Sequence, residues 1–200
     1  MAGRPRPHPW PPAAFRGIPL PLIASKGPWF RIHPAGLKAI HFGKTGGNRF
    51  DDPLRRYRVL YLSFEFAGAF IETAGHRTGI RLVTRAWLED RRLSRITSRR
   101  AFRLVDLTGS GRARLGADSR LFSGDYRISQ AWSCAFWNHP SRPEGIQYRS
   151  RLDPSRYSVA LFDRGNVRRK LKSASFGHLL SDDIGPLLAD AMKEYGFGVV

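Results

Sequence analysis

Residues 58–75 read RVLYLSFEFAGAFIETAG, and their apolar positions change period part-way along. Arg58 to Leu62 is a compact apolar run of strand length, with a basic stretch before it and Ser63 after it. From Phe64 to Thr73 the spacing of Phe66, Ala69, Phe70 and Ile71 fits a helix, and Gly75 supplies the stop. Glu72 falls in the last turn of that helix. A carboxylate there opposes the helix dipole, so it gains nothing from its local position, which favours a role beyond the helix itself.

Upstream, Trp29, Phe30 and Ile32 in WFRIHP mark a first strand, and His41 to Phe50 is a glycine-rich loop containing Gly43, Gly46 and Gly47. Its GKTGGN core lacks both the Walker spacing and the GxGxxG pattern, so composition alone makes it a turn. Downstream, residues 81–107 read as two or three strands that include RLVTRAWL and AFRLVDL. The basic run DRRLSRITSRR between them reads as solvated strand and turn surface. TGSGRARLGADSR reads as a loop or short helical turn. Arg127 to Trp137 reads as a helix with Ile128, Ala131, Trp132 and Ala135 on one face. GIQYRSR and YSVALFD are two further strands, and a last helix starts near Pro186 and stops at Gly196.

The 200 residues suit one domain with terminal extensions, and 42% hydrophobic content suffices for a core. The formal charge of +18 rests on 28 arginines and 6 lysines. Arginine grips phosphate bidentately, so this bias permits phosphate recognition, and equally nonspecific binding of nucleic acid or an acidic partner. Cys134 is the only cysteine, which excludes an intrachain disulfide and a cysteine-based metal site. The longest mostly apolar region, Val59 to Ile71, is too short to span a bilayer and contains Glu65. Residues 1–27 loosely mimic a signal peptide through IPLPLIAS, but seven prolines there oppose a helical apolar segment, so a cytoplasmic protein with an extended arm is expected. No HExxH pairing, GxSxG elbow or conspicuous carboxylate pair occurs.

Taken singly, Arg31, Arg49, Tyr61, Glu72 and Ser150 read as surface, core or loop residues. Taken in order, their segments resemble the RES domain, a family named for its arginine, glutamate and serine. WFRIHP resembles the first arginine motif, with Arg31. NRFDDP resembles the second, with Arg49 and Phe50. VLYLS and AFIET resemble the tyrosine-to-glutamate block, with Tyr61 and Glu72. QAWSCAF resembles the helix that carries Gln130 and Trp132, and GIQYRSR the serine motif, with Ser150.

The resemblance spans about Trp29 to Asp163 and divides the chain into a Pro-rich arm over 1–27, a catalytic domain over 28–165 and an extension over 166–200 with a helix packed on the core. It implies a single mixed α/β domain with a central mixed sheet related to the ADP-ribosyltransferase core. It also implies NAD⁺ as substrate, split at the nicotinamide–ribose bond by phosphate or water, in the toxin of a toxin–antitoxin pair. A related activity is ADP-ribosylation of a protein. Glu72, Arg31 and Ser150 would be catalytic. Arg31, Arg49, Tyr61 and Ser150 would hold NAD⁺, with inorganic phosphate as co-substrate and no metal. The implied partner is an Xre-type helix-turn-helix antitoxin that occludes the pocket. A homodimer is compatible with this reading, a membrane is not expected, and nucleic acid would be met only through the antitoxin. The rival class is a basic nucleic-acid-binding module, and a third reading is a degenerate family member that only binds a partner.

Overall fold

A computed structural model of the chain describes residues 9–76 and 79–200. In chain order the strands and helices begin with β1 (Leu22–Ser25), β2 (Trp29–Pro34), β3 (Val59–Ser63), α1 (Phe66–Ala74), β4 (Leu82–Val83) and α2 (Arg85–Asp90). They continue with β5 (Arg91–Ser98), β6 (Phe102–Asp106), α3 (Ser110–Arg114), α4 (Arg120–Ser123), α5 (Tyr126–Trp137), β7 (Gly145–Arg149) and β8 (Tyr157–Phe162). The chain closes with α6 (Val167–Lys170), β9 (Leu171–His178), α7 (Gly185–Tyr195) and β10 (Gly198–Val199). Eight strands form one mixed sheet in the order β1-β6-β7-β8-β3-β2-β5-β9, and β4 and β10 form a parallel pair of their own. Within the large sheet only β6 and β7 are parallel. This is the mixed α/β domain expected from the sequence, with helices flanking the sheet.

The apolar run of β3 is explained by burial on both faces. Alternate side chains point to opposite sides of a strand. Val59 therefore packs with Ala160, Phe162, Phe136 and Trp132, while Leu60 and Leu62 pack with Trp29, Phe102, Val159 and Leu161. A third cluster joins α1 to α7 through Phe66, Phe70, Leu188 and Ala191. Among the described residues no helix is long and apolar enough to cross a membrane.

The sheet forks in its middle. β2 follows β5 through six paired positions, from Trp29↔Ile96 to Pro34↔Arg91. With β3 it pairs at one, Phe30↔Ser63. Beyond that position β2 and β3 diverge, and α1 leaves the end of β3 beside the gap. Gly68 lets α1 approach closely: a Cβ there would lie 2.3 Å from the Ser63 Oγ, which donates to the Tyr157 carbonyl at 3.1 Å.

Several expectations are corrected. RAWLED in the anticipated strand RLVTRAWL is helix α2, because the Thr84 side chain accepts from the Trp87 N–H at 3.0 Å and caps it. The basic run after it is strand β5, as expected, but β5 is internal to the sheet and buries Leu93, Ser94, Ile96 and Ser98. The arm expected over 1–27 is built into the domain over its described part, from Pro9 onward. Ala13–Gly17 forms a 3₁₀ turn, Phe15 is 3% exposed against Trp132 and Phe136, and β1 pairs with β6. In the extension over 166–200, β9 completes the sheet edge beside β5, and α7 packs on α1. The buried face of α5 is Ser129, Gln130, Trp132, Ser133 and Phe136, so Ile128, Ala131 and Ala135 are only half-buried.

Candidate active site

A cavity of about 300 Å³ occupies the fork between β2 and β3. That is the lower end of the range for small-molecule sites, about 300–1,000 Å³. The residues past the single pairing position line it: Arg31 and Ile32 from β2, Tyr61 and Leu62 from β3. Helix α1 contributes Glu72 in its last turn, the loop before β3 contributes Arg49, and Phe122, Tyr126 and Tyr148 form an aromatic wall. Four of the five residues singled out in the sequence, Arg31, Arg49, Tyr61 and Glu72, therefore share one cavity although the sequence separates them by up to 41 positions (72 − 31).

Arg49 is 9% exposed. Its Nη1 donates to the Leu121 and Gly124 carbonyls at 3.4 and 3.3 Å and to Ser129 Oγ at 3.1 Å, and its guanidinium lies 4.4 Å from the centre of the Tyr126 ring. Its Nη2 is buried with no hydrogen-bond partner in the protein. Burial lowers its pKa, and the Tyr126 ring and the Glu72 charge oppose that shift. Glu72 is a second uncommitted charged group: its Oε1 is buried without a hydrogen-bond partner. Buried polar groups are nearly always paired, so two unpaired ones of opposite charge on one cavity leave hydrogen-bonding capacity that a ligand could use.

Tyr61 presents its ring, because its hydroxyl is already used. It donates to Asp51 Oδ1 at 3.0 Å and accepts the Phe50 N–H at 3.0 Å. Burial and the Asp51 charge push the phenol well above its usual pKa, so Tyr61 stays neutral. Arg31 spends one edge on the loop after β2, donating to the Ala39 carbonyl at 2.6 Å, and burial lowers its pKa to about 10. Ser150 is not among the cavity-lining residues. It is buried, and its hydroxyl accepts the N–H groups of Leu152 and Asp153 at 3.1 and 3.2 Å, which shapes the turn after β7. Its neighbours Arg149, Arg151 and Leu152 reach the cavity instead.

The loop carrying Arg49 is held from two sides. Asp51 Oδ2 accepts from Thr45 Oγ1, Asn48 N and Asn48 Nδ2 at 2.8–3.2 Å, closing the GKTGGN turn on itself. From α5, Gln130 Nε2 donates to the carbonyls of Gly46 and Asn48, and Ser133 Oγ donates to that of Phe50. Residue-level reading missed Asp51, Asp52, Ser129 and Ser133. The available signal was DDP, which favours Asx turns, and a polar stripe at i and i+4 on a helix otherwise judged by its apolar residues. Among the described residues no three His, Cys, Asp or Glu side chains gather as metal ligands.

The sequence pattern of the RES domain matches residues 28–178. The chain belongs to the RES domain family. The match covers β2 through β9, and so includes every residue that lines the cavity, while β1 and the 3₁₀ turn lie before it. This RES domain is similar to "Probable toxin y4kH" of Sinorhizobium fredii, 35% identical over 95 residues that make up 46% of this chain and 72% of that protein. It is also similar in fold to a chain in the crystal structure of the M. tuberculosis MbcT-MbcA toxin-antitoxin complex. There the TM-score is 0.62 at 18% identity, over 86% of this chain and 92% of that one.

Proposed function

We propose that this RES domain cleaves the nicotinamide–ribose bond of NAD⁺ and is the toxin of a toxin–antitoxin pair. The observation that carries the reading is the unpaired Glu72 Oε1 in a cavity that also holds the unpaired Arg49 Nη2 and the neutral Tyr61 ring. The named similarity to a probable toxin, and to a chain solved in a toxin-antitoxin complex, supports the biological half of it.

The chemistry suits the groups present. Nicotinamide leaves NAD⁺ as a neutral molecule from a cationic precursor, so no strong general acid is needed. The barrier lies in an oxocarbenium-like ribose. Glu72 would accept hydrogen bonds from ribose hydroxyls and stabilise the positive charge that develops on the ring. Arg31 and Arg49 would hold pyrophosphate or the incoming phosphate, and Tyr61 would pack on the nicotinamide. A cavity of about 300 Å³ encloses only part of a dinucleotide, so the scissile half would be buried and the rest would reach the rim. An antitoxin segment seated over the fork would exclude substrate; an Xre-type protein is the expected form.

Nicotinamide release from NAD⁺ by the purified chain, with and without inorganic phosphate, tests this reading. Release that requires phosphate makes the enzyme a phosphorylase, and release without it makes the enzyme a hydrolase. Folded protein that releases none in either buffer would overturn the reading.

A further inference from the structure

Four arginines line the cavity, and three of them are tied to the protein. Arg31 bonds the Lys38 and Ala39 carbonyls, Arg49 bonds Leu121, Gly124 and Ser129, and Arg149 bonds the Thr108 and Pro154 carbonyls. Arg151 differs. It is exposed, and among the described residues it makes no hydrogen bond or ion pair, yet it reaches the same cavity. We infer that Arg151 works with Arg49 as an anion clamp on the cavity rim, selecting ligands that carry a phosphoryl group, and that Ser150 is the positioning residue that sets it. The inference rests on the NAD⁺ reading only for the identity of the natural ligand.

The backbone under Arg151 is fixed, although its side chain is uncommitted. Ser150 Oγ accepts two successive N–H groups, of Leu152 and Asp153. Asp153 in turn accepts the Tyr195 hydroxyl of α7 at 2.8 Å and the Arg156 Nε at 3.3 Å. The Arg156 guanidinium also reaches Glu65 and Glu194, so the turn is bound to both α1 and α7. Arg151 is thus a free guanidinium on a braced stem, so recruiting it orders only its own side chain and not the backbone beneath it. Its charge already acts on Arg49: after burial and the opposing Tyr126 ring, repulsion from Arg151 helps lower the Arg49 pKa. Neither residue forms an ion pair with a carboxylate among the described residues. Two guanidinium groups on one cavity are matched by an anion with several oxygens, and arginine meets phosphoryl oxygens in bidentate geometry.

Both the pyrophosphate of a dinucleotide and inorganic phosphate offer such oxygens. Calorimetric titration with ADP, inorganic phosphate and adenosine separates them without requiring turnover. ADP affinity is expected to fall about tenfold in Arg151→Gln and by less in Arg151→Lys, which keeps the charge but loses the bidentate fork, with adenosine unaffected. A parallel fall for inorganic phosphate assigns the clamp to the incoming phosphate as well, and an unchanged phosphate affinity assigns it to pyrophosphate. Ser150→Ala should weaken ADP binding, add nothing in the Ser150→Ala/Arg151→Gln double variant, and be rescued by Ser150→Thr. Equal ADP affinity in wild type and Arg151→Gln, or a wild type that binds no ADP, would overturn the clamp. Nicotinamide release is scored separately: release with an NAD⁺ KM unchanged in Arg151→Gln sinks the clamp and spares the NAD⁺ reading. ADP binding that depends on Arg151, without any nicotinamide release, does the reverse.

Discussion

Glu72 is the residue on which the proposed chemistry turns. Removing one preorganised electrostatic contact typically costs about 10²–10³ in rate. Glu72→Gln keeps size and shape, so it should reduce turnover by at least that factor while leaving the thermal midpoint near wild type. Arg49→Ala should act on binding, with KM for NAD⁺ rising more than kcat falls; an unchanged KM would remove it from the ligand site. Asp52 has a structural task that pH can isolate. Burial pushes its carboxyl up, but the Arg56 side chain and the N–H groups of Arg56 and Leu54 outweigh burial and hold it at about 2. Its folded pKa lies below the unfolded value of about 3.9, so its stabilisation is complete above about pH 4 and is lost as pH falls towards 2. The stability gap between wild type and Asp52→Asn should therefore narrow over that window, and a gap that stays constant would contradict the assignment. At this scale the ordered motifs singled out Arg31, Arg49, Tyr61 and Glu72, and the fold brings these four to one cavity. Ser150 does not line that cavity, because its hydroxyl is turned to its own backbone, and Arg151 resembles any surface arginine until a cavity is seen beside it.

Among the elements, α1 and α5 position the site, and each can be tested. Gly68→Ala would place a Cβ against Ser63 Oγ, at 2.3 Å, where helix and strand touch. Either the Ser63–Tyr157 bond breaks or α1 moves, at a cost of about 1–3 kcal/mol, and movement carries Glu72 with it. Urea midpoint and kcat should both fall, and Ser63→Ala in the same chain should restore part of each. Helix α5 is braced on its other side by the N-terminal segment, where Phe15 meets Trp132 at 5.3 Å and Trp132 Nε1 donates to the Pro9 carbonyl. Phe15→Ala should cost about 3–5 kcal/mol by denaturant unfolding, and a loss below 1 kcal/mol would mean that the segment is merely laid on the surface. β3, α1, β7, β8 and α7 were legible because apolar period and glycine or polar stops agree in them. β5 was misplaced on the surface because arginines on a strand covered by β9 mask the buried Leu93 and Ile96 between them. β1 was missed because prolines on either side of a four-residue strand read as an unstructured arm.

At the scale of the whole molecule, the cavity exists because the sheet divides. Five strands, from β1 to β3, and three, from β2 to β9, share one paired position, and the site fills the space beyond it. No local pattern encodes such a divergence, since it depends on which strands become neighbours. The charge of +18 is likewise a property of the whole, and it keeps nucleic-acid binding in play as the rival activity. Binding of that kind should fade between low and moderate salt and be indifferent to Glu72→Gln, whereas a cavity-bound reaction should show the opposite pattern. The most direct test is therefore a progress curve of nicotinamide release from NAD⁺ by wild type and Glu72→Gln, side by side, in phosphate buffer and in phosphate-free buffer. Wild type should release nicotinamide in at least one buffer, and the variant should lose at least a hundredfold of that rate. Equal release by a folded Glu72→Gln chain, or none by wild type in either buffer, would contradict the proposed function.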